Sequence, residues 1–470
     1  MADRRRHRRD PAAGDRRHRG PGAREDLRRH GARAPDRVDA GLDDPRDPGG
    51  LRRRRPAGRR PRAGGRAAPA ARRPRGGVRA RPSRARPLRG RVQLPRRPRA
   101  PLSAFRARRE RAAVKLLVIA RPITFHGGVE RATAGLLGGL VERGDAVHLL
   151  SPGPDPRLPG VTHHSLAVPP APPPLRPLVF ASAVRLARGR SWDVVQSHER
   201  TLGQDVYRAG EGCHRAWLAA RGRRGRGVYN AVVLALERQV FARTPRIVAI
   251  ARLGKTEIER LYGVEPARVR VIYNGVDHGR FERAARERRA ARAAAEIAED
   301  RTALLFVGSG FERKGLATAI EALARLPDDA RLIVIGKGDI APYHARAERL
   351  GVAKRVVWLG ARPDVERWYA AADAVVLPTT YEPFGNVHLE ALASGVPIVT
   401  TSRAGGAEIV TDQCGAIVEP GDAGAVAAAV ERLRAQDRAG LAGACRAAAA
   451  PYTHAAQAAA FHALYRGASG

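Results

Sequence analysis

Two glutamates eight positions apart, Glu382 and Glu390, stand in the stretch YEPFGNVHLEALASGVPIVTT at residues 381–401. Their setting suits a sugar nucleotide. The apolar run at 374–377 reads as a strand, Pro383 and Gly385 as a turn, and the chain from Asn386 as a helix that Gly395 and Pro397 close. Backbone N–H groups around Phe384, Gly385, Asn386 and Val387 would then lack partners within the helix, and a helix start of this kind attracts phosphate. Glu382, in the loop, could meet sugar hydroxyls. Glu390, one turn into the helix on the face of Asn386, could accept from ribose hydroxyls. The plain alternative is an ordinary strand–turn–helix unit with two solvated glutamates.

Other residues with chemistry to offer follow short apolar runs. TALLFVGSG leads into Arg313 and Lys314, and then an amphipathic helix puts Leu316, Ile320 and Leu323 inward. A departing diphosphate develops negative charge that a metal, cations or helix dipoles must stabilise. Arg313, Lys314 and the helix start after Pro383 could do that work, or the pair could simply be solvent-exposed at a helix start; no D-x-D pair occurs from residue 114 onward, and no metal site is expected. Earlier in the chain, VKLLVIA is a buried-strand pattern followed by HGGVERA, where Gly127 and Gly128 allow close backbone approach to a ligand or simply a tight turn. In WDVVQSHERTLGQD the apolar DVV ends in polar residues, so His198 and Glu199 should emerge at a strand end facing a cleft, with Asp205 a few residues on.

The E-x7-E spacing, together with VGSGFERKGLATAIEALARLP (307–327), VIGKGD (334–339) and HGGVERA (126–132), resembles the retaining, family-four nucleotide-sugar glycosyltransferases. Within that family VGSGFERKG and DVYRAGEGCHR are similar to the bacterial lipopolysaccharide-core glucosyltransferases. The resemblance covers residues 114–470. It implies an α/β chain of GT-B fold, with two Rossmann-like domains whose parallel sheets face a central cleft. It places Gly127 and Gly128 on the donor sugar or diphosphate, and Gly336, Lys337 and the loop from Arg362 to Val365 around the nucleotide base. In a retaining transferase an oxygen of the leaving phosphate can take the acceptor proton, so Glu382 is the expected catalytic carboxylate, while His198 or Asp205 would orient the acceptor hydroxyl. No cofactor is implied beyond the nucleotide-sugar co-substrate, UDP-glucose.

The elements that must position these residues divide the chain into an N-terminal acceptor domain (114–280, closing at NGVD), a nucleotide-sugar domain (281–450) that opens with one Arg/Ala-rich helix at about 281–300, and a crossover helix (451–470). A strand is expected at 162–168. The 470 residues carry a net charge of +40, but the first 113 alone hold 38 Arg against 11 Asp and Glu. That stretch lacks Lys, Asn, Ile, Tyr, Trp, Thr and Cys, cannot build a core, and should be a disordered tail. It reads as GC-rich upstream DNA with the true start near Val114, or else as a basic arm for nucleic acid or anionic lipid.

Three widely spaced cysteines make neither a disulfide framework nor a zinc site, and no apolar run reaches the roughly 18 residues of a spanning helix. Expected partners are a nucleotide sugar, a lipid-linked saccharide acceptor and an anionic membrane surface, with no nucleic acid. The membrane would be met through 214–243, where Arg215, Arg221, Arg223, Arg224, Arg226, Arg238 and Arg243 face only Glu237, and Trp217, Leu218, Tyr229, Val232, Val233 and Phe241 supply apolar groups. The expected place is the cytoplasm, peripheral on the inner face of the membrane. The expected activity is hexose transfer from UDP-glucose to a lipid-linked saccharide such as the lipopolysaccharide core; the alternatives are a sugar-nucleotide epimerase or hydrolase on the same fold, or a basic nucleic-acid-binding protein.

Overall fold

A computed structural model describes residues 113–124, 128–189, 191–222 and 227–467. The expected tail, all but its last residue, and Gly127 lie outside the described residues.

Continuous apolar runs such as KLLVI and ALLFV are buried along nearly their whole length, as strands must be when helices cover both faces of a parallel sheet. In the first domain β1 (Lys115–Ile119), β2 (Ala146–Ser151), β3 (Thr162–Ser165), β4 (Val194–Ser197), β5 (Val206–Ala209), β6 (Arg246–Ala249) and β7 (Val269–Val271) pair in the order β3-β2-β1-β4-β5-β6-β7. In the second, β8 (Ala303–Val307), β9 (Arg331–Ile335), β10 (Val356–Gly360), β11 (Ala374–Leu377), β12 (Ile398–Thr401) and β13 (Gly415–Val418) pair in the order β10-β9-β8-β11-β12-β13. All the pairings are parallel. The strand order reverses between β1 and β4 and again between β8 and β11, and at such a reversal the loops diverge and leave a crevice at the carboxyl ends. The loops after these four strands carry most of the candidate residues, and Gly336, Lys337 and Arg362 follow β9 and β10.

The helix Gly128–Glu142 follows β1, and the last helix, His454–Arg466, lies against it. Glycine costs a helix up to about 1 kcal/mol against alanine, yet Gly135 and Gly139 both face the contact. A Cβ at Gly135 would stand 2.2 Å from the His454 ring, and one at Gly139 would stand 2.9 Å from the His454 carbonyl oxygen. The missing side chains let the two helices meet at backbone distance. Ala458, Phe461 and Tyr465 then complete the first domain's core with Leu116, Val118 and Leu136.

Two expectations are corrected. The strand expected at 162–168 ends at Ser165. The single helix expected over 281–300 is two, His278–Ala285 and Arg288–Ala294. The second presents Arg288 and Arg292 to the carboxyl end of the helix Val365–Ala371. Arg288 Nη1 donates to the carbonyls of Ala370, Ala371 and Ala372, each at 3.1 Å, and Arg292 Nη1 to that of Ala371 at 2.9 Å. Both also reach Asp373. Cations here satisfy carbonyls that a helix end leaves unpaired, a tertiary demand that arginine and alanine periodicity does not report.

Candidate functional site

The turn after β11 is built by Gly385, whose φ of +79° suits glycine and whose Cβ would stand 2.9 Å from Glu382 Cγ. It leaves the helix Asn386–Ala393 with no side-chain cap at its start. His388, fully buried, ties the turn down: Nδ1 meets the Gly385 carbonyl at 2.8 Å and Nε2 meets Thr400 Oγ1 at 2.9 Å. Burial brings its pKa down to about 4, so the ring is neutral at pH 7.

Glu382 is only 8% exposed. Its Oε2 accepts from Arg313 Nη1 at 2.7 Å and from Lys314 Nζ at 2.9 Å, and Arg313 also donates to the Tyr381 carbonyl. Burial alone would raise the Glu382 carboxyl, but the two facing cations outweigh it and hold the pKa at about 2. Sequence reasoning treated the cations and the carboxylate as separate contacts; the fold makes them one cluster with a net charge of +1. Glu390 accepts from the buried Tyr369 hydroxyl at 2.7 Å, which aims the carboxylate into the cleft.

The cleft has a volume of about 330 Å³, within the usual range for a small-molecule site. Gly128, Gly336, Lys337, Arg362, Phe384, Gly385, Asn386, Val387 and Glu390 line it with Arg313, Lys314 and Glu382, so the donor-binding candidates among the described residues converge. Arg362 is anchored by Asp364 at 3.0 Å.

On the first-domain side, His198 follows β4 at the carboxyl end and is buried. Its ring nitrogens contact Thr133 Oγ1 at 3.3 Å and the Gln196 amide at 2.8 Å. Burial, then the nearby Arg208 and Arg121, hold its pKa well below the ordinary value, which suits a neutral hydrogen-bonding group rather than a cation. Around the cavity beside it, Arg121 bridges Glu199 and Glu211, and Arg200 joins Glu211 to the buried Glu237. Glu211 is held at about 2: burial opposes ionisation and the two arginines prevail.

Asp205 is elsewhere, which corrects its expected acceptor-side role. Strands β4 and β5 are parallel, so the chain leaving β4 at the cleft must return to the amino end of the sheet before β5 begins. Asp205 sits at that far end, where Oδ2 accepts from Val195 N at 2.8 Å. It lines neither cavity.

Sequence reasoning also missed a chain of hydrogen bonds across the cleft. Arg208 Nη2 donates to Asn274 Oδ1, Asn274 Nδ2 to Asn386 Oδ1, and Asn386 Nδ2 to the Gly128 carbonyl, each at 2.7 Å. The NGVD turn at 274–277 marked the domain junction, but nothing local reported that its asparagine would meet Asn386. From the other wall Glu408 accepts from Arg252 N at 2.9 Å and Leu253 N at 2.8 Å, capping the first-domain helix Arg252–Tyr262.

Known proteins agree with this geometry. Residues 126–280 match the model of Glycosyltransferase Family 4, and residues 301–436 match that of Glycosyl transferases group 1. The lipopolysaccharide glucosyltransferase WaaG of Escherichia coli K12 is 31% identical over 241 residues, 48% of this chain and 63% of its own length, so less than two thirds of that relative is spanned. A probable transglycosylase of Burkholderia thailandensis is 32% identical over 322 residues, covering 67% of this chain and 85% of its own length. The crystal structure of WaaG, a glycosyltransferase involved in lipopolysaccharide biosynthesis, superposes with a TM-score of 0.66 at 25% identity, over 74% of this chain and 99% of that one. With the family models on both domains, a relative matched over most of its length and the paired parallel sheets around one cleft, the chain belongs to the family-four glycosyltransferases of the GT-B fold.

Proposed function

We propose that the protein is a retaining, metal-independent hexosyltransferase that moves glucose from UDP-glucose onto a lipid-linked saccharide such as the lipopolysaccharide core. The observation that carries the donor side is the Arg313–Lys314–Glu382 cluster set in one cleft with the uncapped helix start at Asn386. In the reaction the bond from the anomeric carbon to the diphosphate oxygen breaks, the acceptor oxygen bonds to that carbon on the same face, and the acceptor proton passes to the departing diphosphate. Lys314, Arg313 and the helix start stabilise the charge that develops on the leaving group, and Glu382 holds the two cations against the sugar. Similarity to WaaG, a lipopolysaccharide glucosyltransferase, supports the glucosyl and lipopolysaccharide parts of this reading. The test is a panel of sugar nucleotides against core glycolipids: glucose should appear on the glycolipid from UDP-glucose with its anomeric configuration kept. Donor consumption that ignores added glycolipid would make the protein a hydrolase or epimerase instead.

Glu390 belongs to nucleotide binding. Glu390→Ala should weaken UDP affinity about tenfold, the loss expected for a charged hydrogen bond, while turnover at saturating donor changes little. Unchanged UDP affinity would place the ribose contact elsewhere.

For the acceptor side we propose peripheral docking on an anionic bilayer. Among the described residues no helix is long and apolar enough to cross a membrane. The fold narrows the surface expected at 214–243. Val233 and Phe241 are core, because one side of the helix Val228–Arg243 packs inward, and Leu218, on the helix His214–Ala220, is buried as well. Glu237 is buried with Arg200, Tyr262 and the His214 N–H, so it does not offset the surface arginines. Arg221 pairs with Glu312 at 2.7 Å, and Arg223, Arg224 and Arg226 lie outside the described residues. Exposed Val228 and Tyr229 remain, together with Leu175 and Leu178 on neighbouring elements that contact the same helix. Liposome co-sedimentation checks the proposal: binding should rise with anionic lipid and fall with salt. It should also weaken several-fold when Arg223, Arg224 and Arg226 become serine, and equal sedimentation of this variant and the wild type would defeat the assignment.

A further inference from the structure

We propose that Arg208 is the cation of an anion subsite on the first-domain wall of the cleft, so that the acceptor carries a phosphate or carboxylate close to the hydroxyl that receives the sugar. This rests on the transferase reading above and names the acceptor's chemistry within it.

Arg208 is 2% exposed. Three arginines are buried among the described residues, and the other two have acidic partners: Arg292 meets Asp373 at 3.3 Å, and Arg355 meets Asp328 at 3.2 Å and several carbonyls. Among the described residues Arg208 has no acidic partner. Its hydrogen bond runs from Nη2 to the neutral Asn274 side chain, and its Nε has no partner at all. A buried charge left uncompensated is a substantial cost to a fold. Burial brings its pKa down to about 10, so the charge persists at neutral pH.

The surroundings explain what such a charge could be for. Arg208 lines both the main cleft and the smaller cavity beside His198. Two residues on, Gly210 lines both cavities as well, and a Cβ there would stand 2.5 Å from Arg208 Nη1. The glycine leaves that face of the guanidinium uncovered. The acidic groups of the smaller cavity do not neutralise it: Glu199 and Glu211 are engaged by Arg121 and Arg200, and Glu130 accepts from Thr124 at the rim. Across the cleft, Arg313 and Lys314 already share Glu382. Arg208 is therefore a buried, cleft-lining cation with no carboxylate of its own on the first-domain side, and an oxyanion seated against it would supply the missing partner.

An oxyanion could come from the acceptor or from the donor's own diphosphate, and binding measurements separate the two. The full chain is saturated with UDP and titrated with inorganic phosphate by calorimetry. Phosphate should still bind to the UDP-saturated wild type. Arg208→Met should weaken that binding at least tenfold while changing UDP affinity less than twofold, and Arg208→Lys should keep most of it. In phosphate-free buffer Arg208→Met should melt no lower than the wild type, since it removes an unpaired buried charge; a structural arginine would instead lower the melting temperature or prevent folding, and either result overturns the proposal. So does a UDP-saturated wild type that takes up no phosphate. A tenfold loss of UDP affinity in Arg208→Met would assign the guanidinium to the donor diphosphate and also overturn it. If the wild type does not bind UDP, the transferase reading fails on its own, and titration with phosphate alone still decides for or against the subsite.

Discussion

Lys314→Ala should lower turnover by about a hundredfold or more, the usual cost of losing one donor that acts in the transition state, with the loss in kcat rather than in KM for the donor. Lys314 and Arg313 converge on one oxygen of Glu382, so in the resting protein their charges are partly spent. When the diphosphate departs, its growing charge lies in the same cleft and competes for them. Removing Lys314 leaves Glu382 paired with Arg313, so folding should survive. Single-turnover and steady-state rates check the prediction. A chelator should leave the wild-type rate nearly unchanged, whereas strict dependence on Mg²⁺ or Mn²⁺ would refute the cation mechanism. A Lys314→Ala enzyme that keeps kcat but loses donor affinity would move this lysine from the chemical step to binding.

Glu382→Gln should also depress the chemical step by about a hundredfold, with nucleotide affinity largely kept, and it should cost more stability than Lys314→Ala. It leaves two cations in a buried site without their anion, and breaking a buried pair costs roughly 3–5 kcal/mol. The pH dependence carries a second signature. Burial pushes the Glu382 carboxyl up and Lys314 and Arg313 pull it down further, so its folded pKa of about 2 lies below its ordinary 4.5. The stabilisation is therefore full above about pH 4.5 and disappears as pH falls toward 2. Wild-type melting temperature should drop across that window, while the Glu382→Gln protein, lower at pH 7, should change less. Parallel curves for the two proteins would show that the cluster is not holding this carboxyl down.

Much of this site was legible in the chain because it depends on local order. An apolar run, a glycine turn and a helix start place Glu382, Gly385, Asn386 and Glu390 in one loop-and-helix unit, and the same logic placed Arg313 and Lys314 after β8. What stayed hidden depends on where the chain goes between elements. Asp205 looks close to His198 in sequence, but the return path between parallel strands carries it to the opposite end of the sheet. The partners of Arg208 and Asn274 are far away in sequence or on the opposing wall of the cleft. Periodicity says which face of an element is apolar; it does not say which polar groups another element brings to it. The split of the helix expected at 281–300 has the same origin, since its arginines answer carbonyls on a helix about 80 residues later.

The helix that ends the described chain has a consequence for the order in which the protein can be made. A chain emerging from the ribosome usually folds its first domain while the second is still being synthesised. Here Phe461 and Tyr465, fully buried in the first domain's core, are among the last of the described residues to appear, and Val114 N and His462 meet on the same carboxylate, Asp145. The seven-stranded sheet must therefore wait, one flank open, through the synthesis of the entire second domain. During that interval the glycine-faced side of the helix Gly128–Glu142 stays without the helix His454–Arg466 that covers it in the folded protein.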